Sequence, residues 1–202
     1  MEVYYEKTKI NAYYYDYFFA GNNFIKIYGG RLMLLKNYIE TSMGKLIMLA
    51  DNNYVRGLWF EDQKYMGSHY DISHIKVGDN NVIQEVANWI REYFLGEKPQ
   101  IDLDILGPEV TSFRQKVLDI LVSVPYGETI SYKEIAELIS KTDGEKFCSP
   151  RAVGGAVGHN PIALLIPCHR VIGSNGSLTG YAGGIERKIK LLELEKVTSK
   201  IL

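Results

Sequence analysis

Two hydrophobic periods divide this chain, and their order limits the folds open to it. Tyr38–Thr41, Lys45–Ala50 and Tyr54–Phe60 are short apolar runs rich in strand-forming residues, with turn residues at Ser42–Gly44 and Asp51–Asn53 between them. This pattern predicts a β-meander. From residue 82 the spacing changes. Val82, Ile83, Val86, Ile90 and Phe94 recur at helical intervals, and Gly96 stops the run. Strands that come first and helices that come after describe an α+β chain rather than an alternating α/β one.

Beyond Gly107-Pro108 the pattern stays helical. Thr111 or Ser112 can cap a helix carrying Phe113, Val117, Leu118, Ile120, Leu121 and Val124, and Pro125-Tyr126-Gly127 ends it. Ser131 followed by Glu134 is a capping box, with Ile135, Ala136, Leu138 and Ile139 as the apolar stripe behind it. Ser149-Pro150 opens a third helix, Arg151–Gly158, because serine caps well and proline suits the first helical position. That helix is unusually small-sided, with Ala152, Gly154, Gly155 and Ala156. An amphipathic helix, Ile185–Lys196, follows. Two short helices joined by a loop are similar to a helix-turn-helix. The division expected is 37–104 for a strand-and-helix domain and 105–202 for a mostly helical one. Residues 1–36 are rich in Tyr and Asn with no clean period: an extra strand pair, an arm or non-native sequence.

Charge gives no sign of a nucleic-acid binder. The formal net charge is -1, and residues 101–202 hold 12 Lys and Arg against 12 Asp and Glu. A basic excess is the usual mark of phosphate binding, so any case for DNA must rest on individual residues. The two cysteines, Cys148 and Cys168, cannot build a disulfide framework and show no metal-ligand spacing. They point to a reduced, cytoplasmic setting with no metal and no cofactor. Uninterrupted apolar runs are too short to span a bilayer, and Glu2 and Glu6 do not suit a signal peptide.

The segment Ile166-Pro167-Cys168-His169-Arg170-Val171 carries the most chemistry. A thiolate is the nucleophilic form of cysteine, and a neighbouring imidazole and guanidinium are expected to lower the thiol pKa. The bland alternative is a buried cysteine packed as a small hydrophobe beside a surface His and Arg.

The wider run decides between them. Asn160-Pro161-Ile162-Ala163-Leu164-Leu165-Ile166-Pro167-Cys168-His169-Arg170-Val171-Ile172-Gly173 resembles the active-site segment of the O6-alkylguanine-DNA alkyltransferases. Arg151-Ala152-Val153-Gly154-Gly155-Ala156 and Gly180-Tyr181-Ala182-Gly183-Gly184 match as well, as does Ile130-Ser131-Tyr132. The likeness is strong over about 105–196 and looser over 38–100.

The resemblance implies a ribonuclease H-like first domain and a helix-turn-helix in the second. It implies a monomer that binds double-stranded DNA carrying O6-alkylguanine, with O4-alkylthymine as a further substrate. The lesion would be flipped out and its alkyl group moved irreversibly to Cys168, once per molecule. Glu195 would orient His169, which takes the Cys168 proton, and Asn160 would bond backbone near Cys168. Tyr132, with Lys188, would neutralise the departing base. Arg151 would fill the gap in the duplex, as wedge-inserting minor-groove binders do. Ala152, Gly154 and Gly155 would allow close approach to DNA, with Lys133 and Ser174 as further DNA contacts. Tyr181, Ala182 and Gly183 would wall the pocket, and backbone at Val171 and Ala182 would read the guanine edge.

Each residue has a plainer reading: a solvated helix-start arginine for Arg151, a half-buried helix-start tyrosine for Tyr132, a turn tyrosine for Tyr181, and a solvated helix charge for Glu195. Three departures stand out. The loop Lys141–Cys148 is longer than in compact members, the zinc ligands of some members have no match in the first forty residues, and Cys148 has no family role. Two other classes remain open: a non-catalytic alkyltransferase-like binder, which would lack the nucleophile, and a thiol hydrolase, which would need an oxyanion-hole motif that does not precede Cys168.

Overall fold

The computed structural model describes residues 33–142, 144 and 147–197, together with the backbone of four short strands before them. The chain divides into two units, Met1–Leu34 and Leu35–Leu202. In the first, β1 (Thr8–Ile10) pairs with β2 (Tyr13–Tyr15) and β3 (Tyr17–Ala20) pairs with β4 (Asn23–Lys26), both antiparallel. The side chains of this segment, whose role the sequence leaves open, lie outside the described residues.

The second unit begins with the expected meander: β5 (Leu35–Ile39), β6 (Leu46–Ala50) and β7 (Val55–Phe60), antiparallel in sequence order. The first strand starts at Leu35 rather than Tyr38. Leu35 and Ile39 are the buried residues, and Tyr38 stands on the exposed face. A two-residue strand that the sequence did not reveal, β8 (Lys76–Val77), adds to β5 in parallel and gives the order β7-β6-β5-β8. All five residues of β6 are buried.

Helix α1 (Asn81–Phe94) packs on this sheet. Asn80 starts it twice over: its Oδ1 accepts from Ile83 N at 2.9 Å, and its Nδ2 donates to Asp51 O at 3.0 Å in the β6–β7 turn. The buried stripe is Val82, Ile83, Val86, Ala87, Ile90 and Tyr93. Tyr93, not Phe94, therefore faces inward at the last turn.

Helix α2 (Ser112–Val122) starts at Thr111, whose Oγ1 accepts from Arg114 N. Strand β9 (Ile130–Ser131) leads directly into helix α3 (Tyr132–Thr142). The capping box is reciprocal: Glu134 N donates to Ser131 Oγ at 3.1 Å, and Ser131 N donates to Glu134 Oε2 at 2.7 Å. Helix α4 (Pro150–Gly158) is capped by Ser149, with Pro150 first and Arg151 second. Part of the preceding loop, residues 143, 145 and 146, lies outside the described residues. Strand β10 (Val171–Ile172) pairs in parallel with β9, and α5 (Ile185–Leu194) follows.

Two backbone bonds tie the later segments to the sheet. Leu58 N donates to Pro161 O and Ala163 N donates to Leu58 O, both at 2.8 Å, so the chain after α4 lies along the edge of β7. The buried core is accordingly continuous, from Leu46 and Phe60 through Leu118 and Ile135 to Cys168 and Leu191.

Gly57 makes room for Trp59, the largest fully buried side chain among the described residues. A β-carbon there would stand 1.7 Å from the ring of the fully buried Trp59. Gly57→Ala is expected to lower the unfolding free energy by about 1–3 kcal/mol, the usual cost of overpacking. Urea denaturation measures it, and an unchanged midpoint would show that the indole can move aside.

Candidate active site around Cys168 and Glu195

Pro167 turns the chain into the site. Its φ of -80° and ψ of 64° form an inverse γ-turn, closed by Cys168 N donating to Ile166 O at 2.8 Å. Cys168–Arg170 then make one turn of 3-10 helix that runs into β10. Because β10 pairs with β9, this turn lies next to the start of α3, where Tyr132 stands.

Cys168 is buried, as are His169 and Arg170. Burial pushes the Cys168 thiol above its ordinary value, while the Asn160 carboxamide and the Lys188 ammonium act in the opposite sense. The expectation of a lowered thiol pKa is thus corrected. Arg170 is not free to act on the sulfur, because it is fully engaged elsewhere.

Asn160 is held by its neighbours. Its Oδ1 accepts from Ile162 N at 3.0 Å, and its Nδ2 donates to Ile166 O at 2.8 Å and Ile162 O at 3.2 Å. Lys188, on α5, is fully buried, and its Nζ donates to Val171 O and, at 2.9 Å, to Thr179 O. No carboxylate among the described residues bonds it, and burial brings its pKa down to about 8. Tyr132 donates to the same Thr179 carbonyl at 3.1 Å. Burial, then the proximity of Cys168, raises the phenol pKa of both Tyr132 and Tyr181. The Tyr181 hydroxyl is buried without a hydrogen-bond partner among the described residues. Gly183 allows its close approach, since a β-carbon there would meet the Tyr181 ring at 2.7 Å. Arg187 secures this loop, donating to Gly183 O at 2.8 Å and Met43 O at 2.7 Å. The Ala182 carbonyl accepts from Lys64 N at 3.1 Å.

Behind the thiol lies a second cluster. His169 Nε2 is 2.7 Å from Glu195 Oε1, with both side chains fully buried. Arg170 donates through Nη2 to Oε1 at 2.9 Å, through Nε to Oε2 at 2.8 Å, and through Nη1 to Val124 O at 2.6 Å. Gly127 N donates to Oε2 at 3.1 Å; its φ of +81° aims the N–H there, a conformation natural only to glycine. Tyr93 donates to Oε1 at 2.6 Å. Glu195 thus receives five donors. The bonds from His169 and Arg170 outweigh the cost of burial and hold its carboxyl far below the ordinary range. An ionised Glu195 requires Nε2 to carry the proton, which leaves the lone pair on Nδ1. Nδ1 is buried and has no protein partner among the described residues. Burial lowers the His169 pKa, so the resting pair is a neutral thiol and a neutral imidazole.

The remaining predicted residues lie apart from this centre. Arg151, Ala152 and Gly155 are exposed on α4, and Ser174 is exposed in the loop after β10. Lys133 is exposed and lies 3.7 Å from Glu137. Gly154 faces the Tyr132 ring, 3.9 Å from where its β-carbon would be. Sequence reasoning missed Tyr93, Gly127 and Arg187. For Tyr93 a signal existed, the i, i+4, i+7 spacing of Val86, Ile90 and Tyr93. Among the described residues, no cluster of His, Cys, Asp and Glu could hold a metal ion, and no helix is long and apolar enough to cross a membrane.

Residues 112–197 match the family model of the 6-O-methylguanine DNA methyltransferase DNA-binding domain. The methylated-DNA–protein-cysteine methyltransferase of Mycobacterium leprae is 40% identical over 163 residues, which cover 78% of this chain and 90% of that protein. The crystal structure of the Mycobacterium tuberculosis O6-methylguanine methyltransferase superposes with a TM-score of 0.69 at 40% identity, covering 81% of this chain and 93% of the other. The same organism's protein in complex with DNA gives 0.67 at 40% identity, covering 80% and 92%.

Glu195 is the group whose loss the cluster can least tolerate. Glu195→Gln leaves Arg170 as a buried cation without its counter-charge and is expected to cost about 3–5 kcal/mol. Within this cluster the pH dependence has two parts. His169, with a folded pKa below its ordinary 6.5, contributes stability that is lost as pH falls below that value. Glu195, with a depressed folded pKa, contributes stability present above 4.5 and lost as pH falls beneath it. Thermal unfolding against pH should therefore steepen more below 4.5 in the wild type than in Glu195→Gln. Parallel curves would refute the assignment.

Proposed function

Because the chain belongs to the methylated-DNA–protein-cysteine methyltransferase family, we infer that it is a DNA-repair protein that moves an alkyl group from damaged DNA onto a cysteine of its own, irreversibly and once per molecule. The observation that carries this reading is the setting of Cys168: a buried thiol beside Asn160, Lys188 and Tyr132, with a neutral imidazole next in sequence whose far nitrogen is held by a carboxylate.

In the proposed reaction the substrate is O6-alkylguanine in double-stranded DNA, with O4-alkylthymine as a second candidate, and the protein acts as a monomer. The base is flipped into the pocket walled by Tyr181 and Gly183. His169 Nδ1, through one water, takes the Cys168 proton, and Glu195 stabilises the imidazolium that forms. The thiolate sulfur bonds to the alkyl carbon as the bond from that carbon to O6 breaks. The electron pair goes to the guanine, which regains a proton with the help of Tyr132, and Lys188 offsets the developing charge. The product is a thioether, which water does not cleave. Val171 and Ala182 backbone reads the guanine edge. No cofactor takes part.

Residues 105–202 supply the DNA-binding and acceptor part, with α3 and α4 as its helix-turn-helix, and residues 37–104 the ribonuclease H-like part. On α4 the exposed Arg151, Ala152 and Gly155 form the approach to the minor groove, with Lys133 and Ser174 flanking it. A cytoplasmic setting, with Cys148 and Cys168 reduced, fits this reading. The thiol-hydrolase alternative loses ground, since the Cys168 backbone N–H, a natural oxyanion donor, is taken by Ile166 O at 2.8 Å.

Cys168→Ser should abolish the permanent mass gain after incubation with O6-methylguanine DNA while binding of damaged duplex persists, because an alcohol is not ionised near neutral pH. Peptide mass mapping decides: an alkyl group on Cys148, or on the serine variant, would overturn the assignment.

Arg151→Ala should slow reaction with duplex DNA by about tenfold or more, since unstacking costs a few kcal/mol, about 1.4 kcal/mol of which is tenfold. Reaction with free O6-benzylguanine should be little changed. Equal losses on the two substrates would rule out the wedge.

A further inference from the structure

We propose that Tyr93 is a positioning residue of the transfer reaction: its phenol, reaching the site from α1, shares Glu195 Oε1 with His169 and so keeps the imidazole in its neutral, proton-accepting form. The proposal rests on the reading of Cys168 and His169 given above.

The geometry leaves the phenol one role. Its oxygen is 2.6 Å from Glu195 Oε1 and 3.4 Å from His169 Nε2, and the side chain is fully buried. The ring is fixed between Trp89, stacked at 5.0 Å, and Tyr126, edge-on at 6.0 Å. Burial and the neighbouring Glu195 push its pKa far above the ordinary tyrosine value, so the phenol stays protonated and donates to the carboxylate.

The charges facing His169 then explain what this bond does. Glu195, at the end of α5, favours the imidazolium, while Arg170 from the same turn and Lys188 from α5 oppose it. Cys168 precedes it, and Tyr126 stacks over Arg170 with 5.7 Å between guanidinium and ring. Glu195 Oε1 accepts from three donors at once: His169, Arg170 and Tyr93. Each additional donor draws electron density from that oxygen and weakens its pull on the His169 proton. Without the Tyr93 bond, the carboxylate would stabilise the imidazolium more strongly. A His169 protonated at rest has no lone pair on Nδ1 with which to accept the thiol proton. Tyr93 lies 76 residues from His169 and 102 from Glu195, outside the segment matched as the DNA-binding domain. The strand-and-helix part of the chain therefore takes part in setting the chemistry.

The test is Tyr93→Phe, which keeps the ring and removes the bond. Benzyl transfer from O6-benzylguanine to Cys168 is followed by mass from about pH 5 to about pH 8, alongside NMR titration of the His169 imidazole. The expected result is an upward shift of about half to one pH unit in both the acid limb and the titration. The rate above the limb should stay within about threefold of wild type. A second variant, 3-fluorotyrosine at position 93, is a stronger donor and should move both readouts down. A limb and titration that coincide with wild type in either variant, or shifts of the same sign in both, would overturn the proposal, as would a fall in thermal stability with no shift. A wild-type protein that gains no benzyl mass would instead overturn the parent reading.

Discussion

A single buried carboxylate holds the site together. Glu195 lies where α5 ends, and its two oxygens gather α1 through Tyr93, the turn before β9 through Gly127, and the turn at residues 168–170 through His169 and Arg170. An unpaired carboxylate at this depth would cost several kcal/mol. The donors offset that cost together, so the positions of these elements are coupled. Arg170 adds a further link, since its third nitrogen closes on Val124 O. The fold here resembles an arch: removal of one member exposes the charge on which the rest converge.

That arrangement separates two tasks which the sequence Cys-His-Arg suggests are one. Adjacent cationic side chains would be expected to ionise the thiol directly. Instead Arg170 is committed to Glu195, and burial keeps both Cys168 and His169 neutral. The positive group left for the sulfur is Lys188, whose own pKa is drawn down to about 8 and whose ammonium is braced by two carbonyls. In the proposed reaction, proton transfer then accompanies base binding rather than preceding it. A thiol that stays protonated until a flipped base arrives is protected from stray electrophiles, which suits a protein that can react only once.

Much of this was legible in the sequence, and the part that was not has a physical reason. The capping box at Ser131 and Glu134 and the Ser149-Pro150 helix start depend on contacts three residues apart, so local rules locate them. Strands β8, β9 and β10 have two residues each, and pairing defined them where no period could. Cys168, His169 and Glu195 were singled out through resemblance, yet the number of donors on Glu195 was not. Its partners come from positions 93, 127, 169 and 170, and only the fold brings them to one carboxylate. The choice of Phe94 over Tyr93 as the inward residue shows the limit of the pattern. At a helix's last turn both positions lie near the boundary of the apolar stripe, and the buried acceptor for the tyrosine hydroxyl lies 102 residues away.

The neutral charge of residues 101–202 also acquires a structural meaning. Several basic residues of this half are turned inward or held by carboxylates: Arg170 on Glu195, Lys188 on carbonyls, Arg187 on Asp62. The exposed face of α4 offers Arg151, Ala152 and Gly155, a single cation beside surface small enough for a groove to approach. Such a face cannot release many counterions, and counterion release supplies most of the sequence-independent affinity of basic DNA binders. In the proposed mode, contact by shape and backbone must take its place, with the flipped base adding its own burial in the pocket. That proposed mode makes affinity for intact DNA weak and favours sites where a base leaves the stack cheaply, as a damaged one does. In the same proposal, discrimination between lesion and normal guanine begins in that cost of flipping, before any atom of the alkyl group meets Cys168.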